Sequence, residues 1–278
     1  MYTVIGLGTV GCRIAKKFQI YDQYNVVCVD DQDSSWDDQF VIKKEKTSED
    51  YESNFKVIPK KVKDKIKSDV ILVLSGASTV CAISLKMLHQ LKDRSVTILC
   101  VRPEHDLLEE RKVMQERMVF SVLQEYTRSG LFKDIFLTSN AKMDTLVEDA
   151  SIKEYYPTIN ELISSVFHMV MVFEHQDCVV GNLSEVNEAR RICTLGILDM
   201  KSGEETLFFP MQDTMESRLY YGISKESLNN DKKLQRNIIE LIKSKNTELC
   251  KYSYGVYETQ YESDFCYVKS YSSKVQEF

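Results

Sequence analysis

Five short, unbroken apolar runs alternate with helix-patterned segments in the first half of the chain, and that alternation limits its possible folds more than any other feature. The runs are YTVIG (2–6), NVVCV (25–29), DVILVL (69–74), VTILCV (96–101) and DIFLT (134–138). Between them, 11–19 puts Ile14, Ala15 and Phe18 on one helical face, and 79–92 does the same with Ala82, Leu85, Leu88 and Leu91; 107–128 reads as a long helix. Strands apolar on both faces need cover on both, which is the pattern of a parallel sheet with helices above and below. A long, largely apolar helix follows at 154–176, expected to be buried between layers. Beyond it come short strands at 191–198, 205–209 and 217–223, a charged helix at 230–245, and strands at 250–258 and 264–271. The expected architecture is α/β. A parallel-sheet, Rossmann-like domain (1–153) is joined by a central connecting helix (154–180) to a smaller α+β domain (181–278).

Composition excludes several classes. The chain is 43% hydrophobic and 28% charged with net charge −6, the balance of a globular protein and too acidic for general nucleic-acid binding. The longest apolar stretch, Ile163 to Phe173, is too short to span a bilayer. The opening MYTVIGLG lacks a basic region and already reads as a strand, so no secretory signal is expected. Eight cysteines without a CxxC pair and four isolated histidines argue against disulfides and against a metal site, and for a reducing, cytoplasmic setting. One basic cluster, Lys60, Lys61, Lys63, Lys65 and Lys67, is a solvated helix face or a partner surface.

With only ten glycines in 278 residues, their clusters are informative. Gly6, Gly8 and Gly11 lie between the first strand and first helix. Glycine there lets backbone N–H groups and the helix dipole approach a phosphate, or lets helix and strand pack closely. Asp30 ends the second strand, where an acid accepts ribose hydroxyls in dinucleotide folds. A second small-residue turn, Ser75 to Cys81 with Gly76, Ala77, Ser78 and Thr79, follows the 69–74 strand. It fits a phosphate cradle or ordinary helix N-cap chemistry.

Two such turns, with VILVLSGASTVCAISLKML, TILCVRPEHDLLEERKVM and IFLTSNAKMDTL, resemble the tubulin/FtsZ superfamily over about residues 2–224, as a short, divergent, phage- or plasmid-type member. The hallmark glycine turn GG[GA][ST]G[ST]G lies over Ser75 to Cys81. Gly76, Ala77 and Ser78 fit it. Ser75, Thr79 and Cys81 replace glycines, with β-carbons expected to crowd a triphosphate, and Val80 replaces a hydroxyl residue. The resemblance implies that Asn140, after a strand, and Asn160 bond the guanine edge while Tyr156 stacks on the base. Tyr156 and Asn160 share a helix face at four-residue spacing; without the family they read as helix-start residues, and Asn140 as a turn residue. Asp106 or Glu109 would approach the ribose. Arg13 would neutralise phosphate charge or simply form a surface ion pair. The family's catalytic loop, NxDxxD or NxDxxE, falls on Gly181 to Glu188. Its two acids have become Ser184 and Asn187, so Glu185 or Glu188 could serve only with a register shift; otherwise the loop is a packing loop.

The implied function is a guanine-nucleotide-binding filament protein, cytomotive or structural, that assembles head to tail, with weak or absent GTPase activity. GTP or GDP is the implied cofactor, with Mg2+ as an optional companion. No membrane insertion and no direct nucleic-acid binding are expected. Two alternatives stand beside it: a NAD-dependent Rossmann-type oxidoreductase, on GLGTVG and Asp30, and a tubulin-like structural protein that has lost nucleotide.

Overall fold

The computed structural model describes residues 1–66, 69–185 and 187–277, leaving Lys67 of the basic cluster and Val186 of the candidate catalytic loop outside the described residues. Its strands are β1 (Tyr2–Leu7), β2 (Tyr24–Asp30), β3 (Gln39–Val41), β4 (Val70–Leu74), β5 (Val96–Arg102), β6 (Asp134–Ser139), β7 (Val180–Asn182), β8 (Ile192–Leu198), β9 (Glu205–Leu207), β10 (Glu216–Ser224), β11 (Lys251–Thr259) and β12 (Phe265–Ser272). The helices are α1 (Gly8–Lys17), α2 (Ser48–Asn54), α3 (Lys60–Lys63), α4 (Ser84–Gln90), α5 (Glu110–Arg128), α6 (Asn140–Met143), α7 (Tyr155–Phe173), α8 (Lys225–Asn230) and α9 (Leu234–Lys245).

All strands join one sheet in the order β3-β2-β1-β4-β5-β6-β8-β12-β10-β11-β7, with β9 added on β8. From β3 to β8 every pairing is parallel. Beyond β8 the pairings are antiparallel except β10 with β11. The alternation expected of doubly covered strands is present in the core. Val4, Ile71 and Leu99 pack beneath α1 and α7, while Ile5, Leu72 and Ile98 face the layer that holds Met87, Leu88, Phe120 and Leu123 of α4 and α5. A third cluster lies under α9, where Leu219, Tyr221, Val256 and Val268 meet Ile238 and Ile242.

Helix α7 buries Ile159, Ile163, Val166, Phe167, Val170 and Met171. Its core also includes Tyr220, Tyr257 and Tyr271, so the helix spans both halves of the sheet. Nineteen residues make it about 28 Å long. The end of the chain ties the halves together a second time. Gln276 is 1% exposed; its backbone N–H donates to Gln124 Oε1 of α5 at 2.8 Å, and Gln124 Nε2 returns a bond to the Gln276 carbonyl at 3.2 Å.

Two helices differ from the sequence reading. The 79–92 segment starts as a 3-10 turn, Thr79–Ile83, before α4 begins at Ser84. Gln115 of α5 draws the carbonyls of Gly76 and Ser78 sideways, at 3.1 and 2.7 Å, and Val80 and Cys81 sink into the core. The charged helix expected at 230–245 begins at Leu234 as α9, preceded by the separate short helix α8 and a break at 231–233.

Candidate nucleotide site and foot cleft

In a parallel sheet the C-terminal strand ends share one edge, here termed the head. Strand β1 pairs with β2 on one side and β4 on the other, so chain order reverses between β1 and β4, and the crevice outside that point is where open α/β sheets bind ligands. Both glycine turns lie there, and they touch. Gly8 has φ +71°, and a β-carbon on it would lie 2.8 Å from Ser78 Oγ. Helix α1 starts after an extended Leu7 without a side-chain cap and without an acid in its first turn, which suits an anion. Gly6 and Gly11 have a different purpose. A β-carbon on Gly6 would meet Cys12 Cα at 2.6 Å, and one on Gly11 would meet the Val73 carbonyl at 2.3 Å. These two bring α1 down onto β1 and β4. Arg13 is exposed on α1 and forms no ion pair with another described residue.

The second turn is less open than a phosphate cradle. Gly76 packs on Glu116, with atoms 3.3 Å from a would-be β-carbon. Ser78 N–H donates to the Ser75 carbonyl at 3.1 Å and Cys81 N–H to the Ser78 carbonyl at 3.0 Å, so two amides are used within the turn. Ala77, Ser78 and Thr79 are half-buried. Ser78, as N-cap of the 3-10 turn, makes no side-chain capping bond. The expectation that Cys81 crowds a phosphate is corrected. Its side chain lies under the turn, 0% exposed, with Sγ donating to the Leu7 carbonyl at 3.7 Å and the thiol pushed up to about 12 by burial.

The base-reading candidates follow β6. Asn140 opens α6, half-buried, and Tyr155 OH bonds Asp144 Oδ1 at 2.9 Å, tying that segment to the start of α7. Tyr156 is 49% exposed and meets Tyr155 edge-on at 5.1 Å. One turn on, Asn160 is 8% exposed, and its amide forms no hydrogen bond with another described residue. Asp106 and Glu109 are both exposed in the loop after β5, with Glu109 at the N-cap of α5. That loop stands on a buried group absent from the sequence reading. Glu116 Oε1 accepts from Arg102 Nε at 2.9 Å, its Oε2 lies 2.8 Å from His105 Nε2, and the guanidinium lies 4.3 Å above the Phe120 ring.

The opposite edge, the foot, holds the candidate catalytic loop. Helix α7 ends there, with His175 Nε2 3.0 Å from Tyr2 OH at the first residue of β1. A cleft of about 620 Å³ opens beside it, walled by Lys269, Arg218 and Glu174 and rimmed by Glu185 and Glu188, both exposed. Lys269 is 3% exposed; its Nζ lies 2.8 Å from Glu174 Oε1, which also accepts from Tyr220 OH at 2.9 Å. Burial alone would raise the Glu174 carboxyl, but Lys269, Tyr220 and Arg218 hold it below the usual glutamate range. Ser184 turns inward to Glu216, and Asn187 Oδ1 accepts the Ala189 N–H at 2.9 Å.

No protein-family model matches the sequence, and no curated protein sequence matches it significantly. Solved structures do. A GTPγS-form protofilament of TubZ from Bacillus thuringiensis serovar israelensis superposes with TM-score 0.74 at 13% identity, over 97% of this chain and 87% of that one. The GDP-bound monomer of CetZ1 from Haloferax volcanii gives 0.70 at 16% identity, over 98% and 94%. An FtsZ dimer from M. jannaschii gives 0.62 at 10% identity, over 98% and 88%. The chain has the tubulin/FtsZ fold.

Within this tubulin/FtsZ fold, Gly8, Ser78, Thr79 and Asn140 follow the C-terminal ends of β1, β4 and β6, and Tyr156 and Asn160 stand in the first turns of α7, while Glu185 and Glu188 line the foot cleft. Asp30, the mainstay of the dinucleotide alternative, is 3% exposed. One oxygen accepts from Thr9 Oγ1 at 3.0 Å and the other from Asp31 N–H at 2.9 Å, so both are already engaged within the chain. Burial raises its carboxyl despite those bonds. Among the described residues no helix is long and apolar enough to cross a membrane.

Proposed function

We propose that this chain binds a guanine nucleotide at the head of the sheet and associates head to tail, the foot loop of one copy covering the nucleotide of the next. One observation carries the reading. Asn160 is 8% exposed, and its amide, with no hydrogen bond to another described residue, still reaches solvent one helical turn from the exposed ring of Tyr156. An amide carries both a donor and an acceptor, so a ligand edge that offers both a carbonyl and an amino group is its natural complement. The phosphates would lie against the α1 N-terminus and the Gly8–Ser78 contact, with Arg13 as a mobile counter-charge and Glu109 or Asp106 toward the ribose. Among the described residues no group of three His, Cys, Asp or Glu side chains could hold a metal, so Mg2+ would be held chiefly by phosphate oxygens.

Head and foot are about one helix length apart, so the two sets of residues can serve one nucleotide only between two copies. Two of the similar structures are protofilaments of TubZ, in GDP and GTPγS forms, which supports this arrangement. Hydrolysis is expected to be slow. The two positions where the superfamily has acids are Ser184, bonded into the sheet, and Asn187, spent on a local turn. Loss of a positioned general base costs about 100- to 10,000-fold. Phosphate release measured beside light scattering, over a range of protein concentrations with GTP and with ATP, tests the proposal. Scattering that rises with GTP and little phosphate release is expected; brisk release, or equal responses to ATP, contradicts it.

A further inference from the structure

Glu216 begins β10 and is 3% exposed, yet its carboxylate gathers groups from three directions. Arg190 Nη1 lies 2.9 Å from Oε2. Ser184 Oγ donates to Oε1, and Arg218 Nε is 3.5 Å from that same oxygen. Arg218 also donates through Nη2 to the Ser184 carbonyl. Ser184 Oγ stands 3.0 Å from Ser253 Oγ on β11. One loop residue is therefore held by its side chain and its backbone to two strands of the sheet. A buried carboxylate with two guanidinium partners is well satisfied, and hydrogen bonds to it are the strong, charge-assisted kind.

Glu185, next in the chain, is exposed at the cleft rim, and so is Glu188. Free in solvent, a loop carrying two like charges would sample many conformations, and ordering it on contact would cost about 1–2 kcal/mol per residue. Here Ser184 and Asn187 are already held within the single chain. We infer that Glu216 is a positioning residue and Ser184 its latch, together fixing the foot loop so that it offers Glu185 and Glu188 as a preformed contact to the head of a second copy. This rests on the head-to-tail reading above. The serine is then more than a lost acid. An aspartate at 184 would face the Glu216 carboxylate at hydrogen-bond distance, and two like charges there repel. Restoring the acid should free the loop rather than restore chemistry.

The test uses Ser184→Ala, Ser184→Asp and Ser184→Thr in the full chain. Because Ser184 is exposed, these spare the core, whereas Glu216→Gln disturbs a charge shared by two arginines. Amide exchange of the foot loop is measured at a concentration where the chain is monomeric, and the protein concentration at half-maximal scattering with GTP is measured separately. Ser184→Ala and Ser184→Asp should speed loop exchange about tenfold or more and raise the assembly midpoint, with the melting temperature lowered by about a few degrees and the fold retained. Ser184→Thr keeps the hydroxyl and should behave as the parent. Parent-like exchange in Ser184→Ala and Ser184→Asp overturns the latch. Faster exchange with an unmoved assembly midpoint overturns its service to the contact. A parent chain that never associates overturns the head-to-tail reading, and the exchange rates still decide the latch.

Discussion

Gly8 and Ser78, seventy residues apart in the chain, meet so closely at the head of the sheet that a β-carbon on Gly8 would lie 2.8 Å from Ser78 Oγ. The contact joins the two phosphate-type turns into one surface and leaves little room for a side chain at Gly8. Its φ of +71° adds a second constraint, because L side chains are strained there. Gly8→Ala should cost about 1–2 kcal/mol in chemical denaturation and lower GTP affinity at least tenfold. Unchanged affinity would mean that the Gly8–Ser78 surface does not contact the nucleotide.

Asn160→Ala separates base recognition from stability. The amide has no described partner to lose, so the melting temperature should stay or rise slightly. GTP affinity should fall about tenfold or more, with no matching change for ATP. Titration of both nucleotides against parent and variant checks this, and equal losses for the two would remove the guanine assignment.

The second turn makes an asymmetric prediction. Thr79 is half-buried, whereas Cys81 is fully buried. Thr79→Gly should tighten nucleotide binding. Cys81→Gly should only open a cavity, lowering stability by about 1–3 kcal/mol without a gain in affinity. Tighter binding by Cys81→Gly would show that the thiol side of the turn reaches the phosphates after all.

Acid sensitivity should come partly from His168. It lies 7% exposed on α7, stacked on Tyr21 at 3.5 Å with Nδ1 3.1 Å from Tyr24 OH. Burial lowers its pKa from 6.5 to about 4. The unfolded chain therefore binds more protons between those values, and folding stability falls as pH drops through that window. The contribution is about 3 kcal/mol at most. Denaturation midpoints at pH 7 and pH 4.5 should differ less in His168→Phe than in the parent; an equal difference would place the acid sensitivity elsewhere.

Much of this fold was legible because its strands are buried on both faces. Val4 and Ile5 face opposite helical layers, so the sequence shows a continuous apolar run, and the same holds for Ile71 with Leu72. Helix α7 was legible for its length and apolarity. The short edge elements were not. Strand β3 has three residues, Gln39–Val41, and β7 depends on Gly181, whose β-carbon would stand 2.4 Å from the Tyr254 carbonyl, a contact between segments far apart in sequence. At the site, spacing picked out Tyr156 and Asn160 because one helix carries both. It could not reveal that Glu116 supports the β5 loop through Arg102, or that Ser184 belongs to Glu216, since those pairs are made by the folded sheet. Nor could it distinguish Thr79, half-buried, from Cys81, fully buried, two residues later in the same turn.

The central claim is a guanine nucleotide at the head of the sheet, and its most direct test is the nucleotide carried by the purified protein. The protein is denatured, the precipitate removed and the supernatant separated by anion-exchange chromatography against nucleotide standards. GDP or GTP approaching one per chain is the predicted result, falling sharply in Asn160→Ala. A protein that elutes with NAD, or with no nucleotide even after incubation with excess GTP, would contradict the account.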